Sequence, residues 1–188
     1  MQLNSIHKLK TSTRRLLGMI VRLLVILVVT TLFSGCTKNR DILFEVPVRL
    51  EFEIPAGLNP FDKHFQIIED VPTNFEIIRK QFNVPDDQEI TIRPGTAILT
   101  STTGDVNFDF IEEFGIFLFK EDREDEIDAF LTDQVPFNAG RNVLILPFDT
   151  DLTELVSQDK INFKIAFRLR ATTPSFIQMA IEVVFTVE

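Results

Sequence analysis

Two segments near the C-terminus limit the fold most narrowly. In "INFKIAFRLR", Ile161, Phe163, Ile165, Phe167 and Leu169 share one face, and Lys164, Arg168 and Arg170 fall on the other. In "FIQMAIEVVFTVE", Ile177, Met179, Ile181, Val183, Phe185 and Val187 keep the same spacing. A period of two marks a strand, because successive side chains point to opposite faces. "ATTPS" between them is rich in turn residues, so the two segments predict a long terminal β-hairpin. "LFEVPVRLEFEI" alternates in the same way, with Phe44, Val46, Val48, Leu50, Phe52 and Ile54 set against Glu45, Pro47, Arg49, Glu51 and Glu53. Pro47 has no amide hydrogen to give to a ladder, so this strand is expected at a sheet edge.

The intervening chain supplies more strands. "PAGLNPFD" reads as a loop and "HFQIIEDV" as a second strand. "PTNFEIIRKQFNVP" changes period: Phe75, Ile78 and Phe82 share a helical face, Thr73 or Asn74 can cap its start, and Pro85 stops it. "EITIRPGTAILT" alternates through Ile90, Ile92, Thr96 and Ile98, with a kink at Pro94-Gly95. "DVNFDFI" places Val106, Phe108 and Phe110 on one strand face, "FGIFLF" reads as a central strand covered on both sides, and "NVLILPF" as another buried strand. "KEDREDEIDAFLTDQ" is an acidic excursion ending in a helical turn, and "DTDLTELVSQD" is a loop holding another. No βαβ rhythm and no internal repeat appear. The expected fold is mostly β: an antiparallel β-sandwich, Ig-like in general shape, of about eight strands with one short helix. A barrel is the second choice.

The first 35 residues are unlike the rest. They carry Lys8, Lys10, Arg14, Arg15 and Arg22 and no acidic residue, and "LLVILVVTTLF" follows from Leu23 to Phe33. A basic start, a short apolar core and a small-residue exit make a secretory signal peptide. The core is eleven residues long by that count, well short of the roughly 20 that span a bilayer. The Arg14-Arg15 pair in "TRRLL" is of a kind common in basic leaders, and a start at Met19 would omit it.

Ser34, Gly35 and Cys36 close the leader, and Cys36 is the one cysteine in the chain. "LFSGC" resembles the lipobox of bacterial lipoproteins, with Phe33 where that family usually has Leu. The resemblance implies cleavage between Gly35 and Cys36, lipidation of Cys36, and attachment to the outer membrane through its acyl chains. Several chains hold firmly where one holds marginally. In some Bacteroidetes-type lipoproteins an acidic run after the cysteine marks export to the cell surface. "TKNRD" lacks such a run, which implies the periplasmic face. The Phe-rich alternation of the body is similar to that of small, uncharacterised β-sandwich lipoproteins of such bacteria, a resemblance that implies no activity. The expected organisation is a signal peptide at 1–35, a lipidated cysteine and tether at 36–42, and one sandwich domain at 43–188.

Removal of the leader leaves 188 − 35 = 153 residues, a suitable size for one domain. It takes five of the 19 basic residues and no acidic ones, so the formal charge becomes 14 − 28 = −14. Such a surface repels phosphate backbones, which argues against nucleic acid as a partner. The expected partners are the membrane, through lipid, and another envelope protein.

No enzyme constellation stands out. After the leader, His64 is the only histidine, and Ser101, Ser157 and Ser175 are the only serines. None lies in a nucleophile elbow, and no carboxylate pair is singled out for hydrolysis. No cofactor is implied, and one histidine cannot build a zinc site. The only metal candidates are oxygen ligands for calcium: Asp149, Asp151 and Glu154, and the run Glu121, Asp122, Glu124, Asp125 and Glu126, neither at calcium-loop spacing. The chain has 19 Phe but no Trp and no Tyr, the residues that usually stack on sugars with a polar handle. The expected function is a non-enzymatic binding or assembly module docking on another envelope protein. The alternative is a calcium- or glycan-binding accessory lipoprotein.

Overall fold

The computed structural model describes residues 41–102, 106–120, 125–173 and 175–188. The expectations for the leader, for Gly35 and Cys36, and for Glu121, Asp122 and Glu124 lie outside the described residues. Eight strands follow one another: β1 (Phe44–Ile54), β2 (Lys63–Pro72), β3 (Ile92–Ser101), β4 (Ile111–Phe119), β5 (Ile127–Thr132), β6 (Asn142–Pro147), β7 (Lys160–Leu169) and β8 (Ile177–Val187). Helix α1 (Phe75–Gln81) follows β2, and a four-residue helix α2 (Thr153–Val156) precedes β7. Among the described residues no helix is long and apolar enough to cross a membrane.

All strand pairs are antiparallel, in the order β1-β8-β3-β6-β5-β4-β7-β2. The link between β5 and β6 is thin, only Phe130 with Pro147 and Leu131 with Leu146. There the sheet folds into two four-stranded layers that pack face to face. Their inner faces meet through ring pairs such as Phe52–Phe114 and Phe130–Phe185, at 6.4 and 6.3 Å between centroids. Fully buried Phe114, Phe163 and Phe185 belong to this shared core.

The pairing is nested. β1 lies beside β8, β2 beside β7, β3 beside β6 and β4 beside β5. The chain is thus one long antiparallel ribbon rolled over itself, the connectivity of an eight-stranded jelly roll. It shares two packed antiparallel layers with an immunoglobulin sandwich, and α1 stands where the helix was expected. β1, with Pro47, is a sheet edge as predicted, and β2 is the other edge.

Several local expectations are corrected. β7 and β8 do not form a hairpin: β7 pairs with β2 and β4, and β8 with β1 and β3. The loop from Arg170 to Phe176 crosses between layers, and layers packed about 10 Å apart are within its reach. In β3 the buried set switches from Ile92 to Ala97 and Leu99, while Thr96 and Ile98 face outward. The register slips between Pro94 and Thr96, and one extra residue reverses every later side chain. Phe108 and Phe110 are buried from a 3₁₀ turn, not a strand. The end of the acidic excursion is strand β5, not a helical turn. β6 is half-exposed, with Val143 and Ile145 inward and Leu144 and Leu146 outward. Phe82, expected on the inward face, is exposed just beyond α1, and Arg79 is buried on α1 with Phe75.

Candidate functional site

The outer surface of the sandwich carries two kinds of chemistry. On β1 the outward residues are Glu45, Pro47, Arg49, Glu51 and Glu53, and Arg49 bridges across to Glu182 of β8 at 3.0 Å. A row of apolar residues crosses the outer face of the other layer and continues around the β5–β6 fold onto the layer of β1. Phe65 of β2 pairs with Ala166 of β7, Ala166 with Gly115 of β4, Gly115 with Leu131 of β5, and Leu131 with Leu146 of β6. Leu144, two residues before Leu146, faces the same way and pairs with Ile98 of β3. The band therefore crosses six strands.

Its shape follows from residue size. A side chain at Gly115 would meet the Phe117 ring at 3.1 Å and Leu131 at 3.3 Å. Glycine lets those two side chains close over the centre, and Ala166 beside it is covered. Phe65, Ile98, Leu144 and Leu146 remain 39% to 58% exposed. One cation borders the band. Lys164 Nζ sits 4.8 Å from the Phe65 ring centre and is held by Glu126 at 2.6 Å. The charge is thus paired beside the apolar surface. Exposed apolar side chains gathered beside a polar border are the usual mark of a docking surface.

The bulge at Pro94-Gly95 creates part of this band, since it turns Ile98 outward. Sequence reading missed the band because "NVLILPF" and "FGIFLF" looked buried on both sides. The signal that could have found it is the mixture of small and large residues, Gly115 and Ala166 beside Phe117 and Leu131.

The calcium candidates are not brought together. Asp149 accepts from Arg93 at 2.9 Å, Asp151 accepts from the Thr153 hydroxyl at 2.6 Å and amide at 2.9 Å, and Glu154 pairs with Lys120 at 3.0 Å. The two hydrogen bonds from Thr153 hold the Asp151 carboxyl below its ordinary range, with Arg93 adding to the effect. Among the described residues, no group of three or more His, Cys, Asp or Glu is placed to hold a metal ion. Two open clefts, of about 740 and 580 Å³, flank Lys120 near the start of β7. Their facing charges pair with each other, as in Lys160–Asp70 at 3.1 Å and Lys120–Glu154 at 3.0 Å.

The other singled-out residues have structural places. His64 Nε2 lies 2.7 Å from the Asn59 carbonyl oxygen, and its ring centre is 5.4 Å from that of Phe167. Ser101 ends β3 and is buried. Arg170 leaves the polar strand face and ties loops together. It donates to the carbonyls of Ile111 at 2.6 Å and of Val135, and it lies 4.2 Å from the Phe137 ring centre.

No protein-family model matches the chain. No curated protein matches it either. Among solved structures, the chain is similar to the decameric BFDV capsid protein, with 11% identity over 77% of this chain and 96% of that one, at a TM-score of 0.35. A likeness of that size carries no inference about function.

Proposed function

We propose that this protein is a lipid-anchored lipoprotein of a bacterial outer membrane, on the periplasmic face. It acts as a non-enzymatic binding or assembly module that docks on another envelope protein. The observation that carries the docking reading is the outward apolar band on Phe65, Leu131, Leu144, Leu146 and Ile98, which runs around the β5–β6 fold and ends at β3, short of the charged edge strand β1. The anchor rests on the lipobox-like "LFSGC".

Magnitudes favour the combination over either part alone. Half-exposed Leu, Ile and Phe side chains contribute about 1 kcal/mol each when covered, so the four of them supply about 4 kcal/mol. Association costs at least about 4 kcal/mol in lost rigid-body freedom. The band alone therefore binds marginally. Holding both partners at one membrane raises their effective concentration and makes such a contact sufficient.

The test is a photo-cross-linking residue placed at Leu146 in one strain and at Glu51, on the charged edge strand β1, in another. The expected result is a discrete adduct with one membrane protein from position 146 only, lost when Leu144→Glu is added. Equal or absent cross-linking at both positions, with the protein folded and at the membrane, would sink the docking reading.

A further inference from the structure

We propose that the end of the sandwich carrying α1 rests on the lipid surface itself. This rests on the lipid-anchor reading at Cys36, and it adds a defined contact and orientation. Asp41 lies five residue steps after Cys36, and a fully extended chain covers at most about 3.6 Å per step. The lipidated cysteine can therefore lie no further than about 18 Å from Asp41.

Strand register identifies what lies at that end. Phe44 starts β1 and pairs with Val187, near the C-terminus, and Ile92 at the start of β3 pairs with the same residue. Helix α1 belongs to this end too, because the Phe44 ring lies 5.8 Å from Phe75 and 5.7 Å from Phe82. Three apolar side chains are left 54% to 59% exposed here: Ile42, Ile77 and Phe82. A surface held at millimolar effective concentration by a short tether needs only a weak contact of its own.

The chemistry of the contact is apolar and shallow. Asp86, Asp87 and Glu89 follow the helix, so phosphate groups of anionic lipids are not the attraction. The occupant is the headgroup–acyl boundary of a bilayer, into which apolar side chains reach about 5–10 Å. The loops at the other end of the strands then face away from the membrane. One of them carries Phe61, which is 91% exposed.

The protein has no Trp, so one introduced Trp is its only indole. The lipidated protein is extracted from membranes as Ile77→Trp or Phe61→Trp and reconstituted in phosphatidylcholine vesicles brominated close to the headgroups. Emission from position 77 is expected to fall roughly twofold or more while position 61 is unchanged. If the vesicles float with the protein and position 77 is unquenched, or both positions are quenched alike, the contact is overturned and the anchor stands. A protein partner as the natural occupant of this face would give that unquenched result, since the vesicles contain no other protein. If the protein fails to float with the vesicles, the anchor reading fails and the contact falls with it.

Discussion

Asp151 fixes the entry to α2 through a single carboxylate oxygen that accepts two hydrogen bonds from Thr153, at 2.6 and 2.9 Å. Those bonds favour the ionised form and lower its pKa from an ordinary value of 3.8. The unfolded chain then takes up the proton first as pH falls. The stabilisation is fully present above about pH 3.8 and is lost as pH falls through the lower, folded value. The group is exposed, so screening keeps the effect under about 1 kcal/mol. Urea denaturation is expected to show the wild type slightly more stable than Asp151→Asn near neutral pH, with the difference vanishing in acid. A difference unchanged by pH would contradict the charge-based account. Such partnerships are only partly legible in sequence. Asp151 was singled out as an oxygen ligand, but what it serves is the turn two residues later. Arg170 looked like a solvated strand cation, and only the chain crossing between layers brings the Ile111 and Val135 carbonyls to it.

At the scale of elements, alternation reports burial well wherever a strand is uninterrupted. The inward sets of β1, β7 and β8 were legible residue by residue, because period two needs no knowledge of partners. It fails at a bulge, where one inserted residue reverses the phase. "RPGT" announced a kink, but its effect on Thr96 and Ile98 depends on how β3 meets β8. Gly95 is the critical residue there. An added methyl group would lie 2.9 Å from the Val184 carbonyl oxygen and 3.0 Å from a Thr186 methyl. Backbone oxygen cannot rotate away, so Gly95→Ala is expected to cost about 1–3 kcal/mol. Chemical denaturation measures it, and a neutral result would mean that β8 yields at this point. Because the bulge also sets Ile98 outward, the variant is expected to weaken any partner cross-link from the apolar band.

For the whole molecule, composition and patterning predicted two antiparallel layers of about eight strands but not their nested pairing. Each inward face is an equally good match for several others, and only packing the complete chain selects β8 for β1 and β7 for β2. The band suffered the same loss: its members come from six strands, so no segment of sequence displays it. The proposed anchor is the reverse case, resting entirely on "LFSGC" and independent of the fold. The docking reading and the bilayer contact both assume it, and the most direct test of the account is therefore the intact mass of the protein extracted from membranes, for wild type and Cys36→Ser. The account predicts a wild-type mass equal to residues 36–188 plus acyl chains, and no such species from Cys36→Ser. A full-length, unmodified mass from both proteins would contradict it.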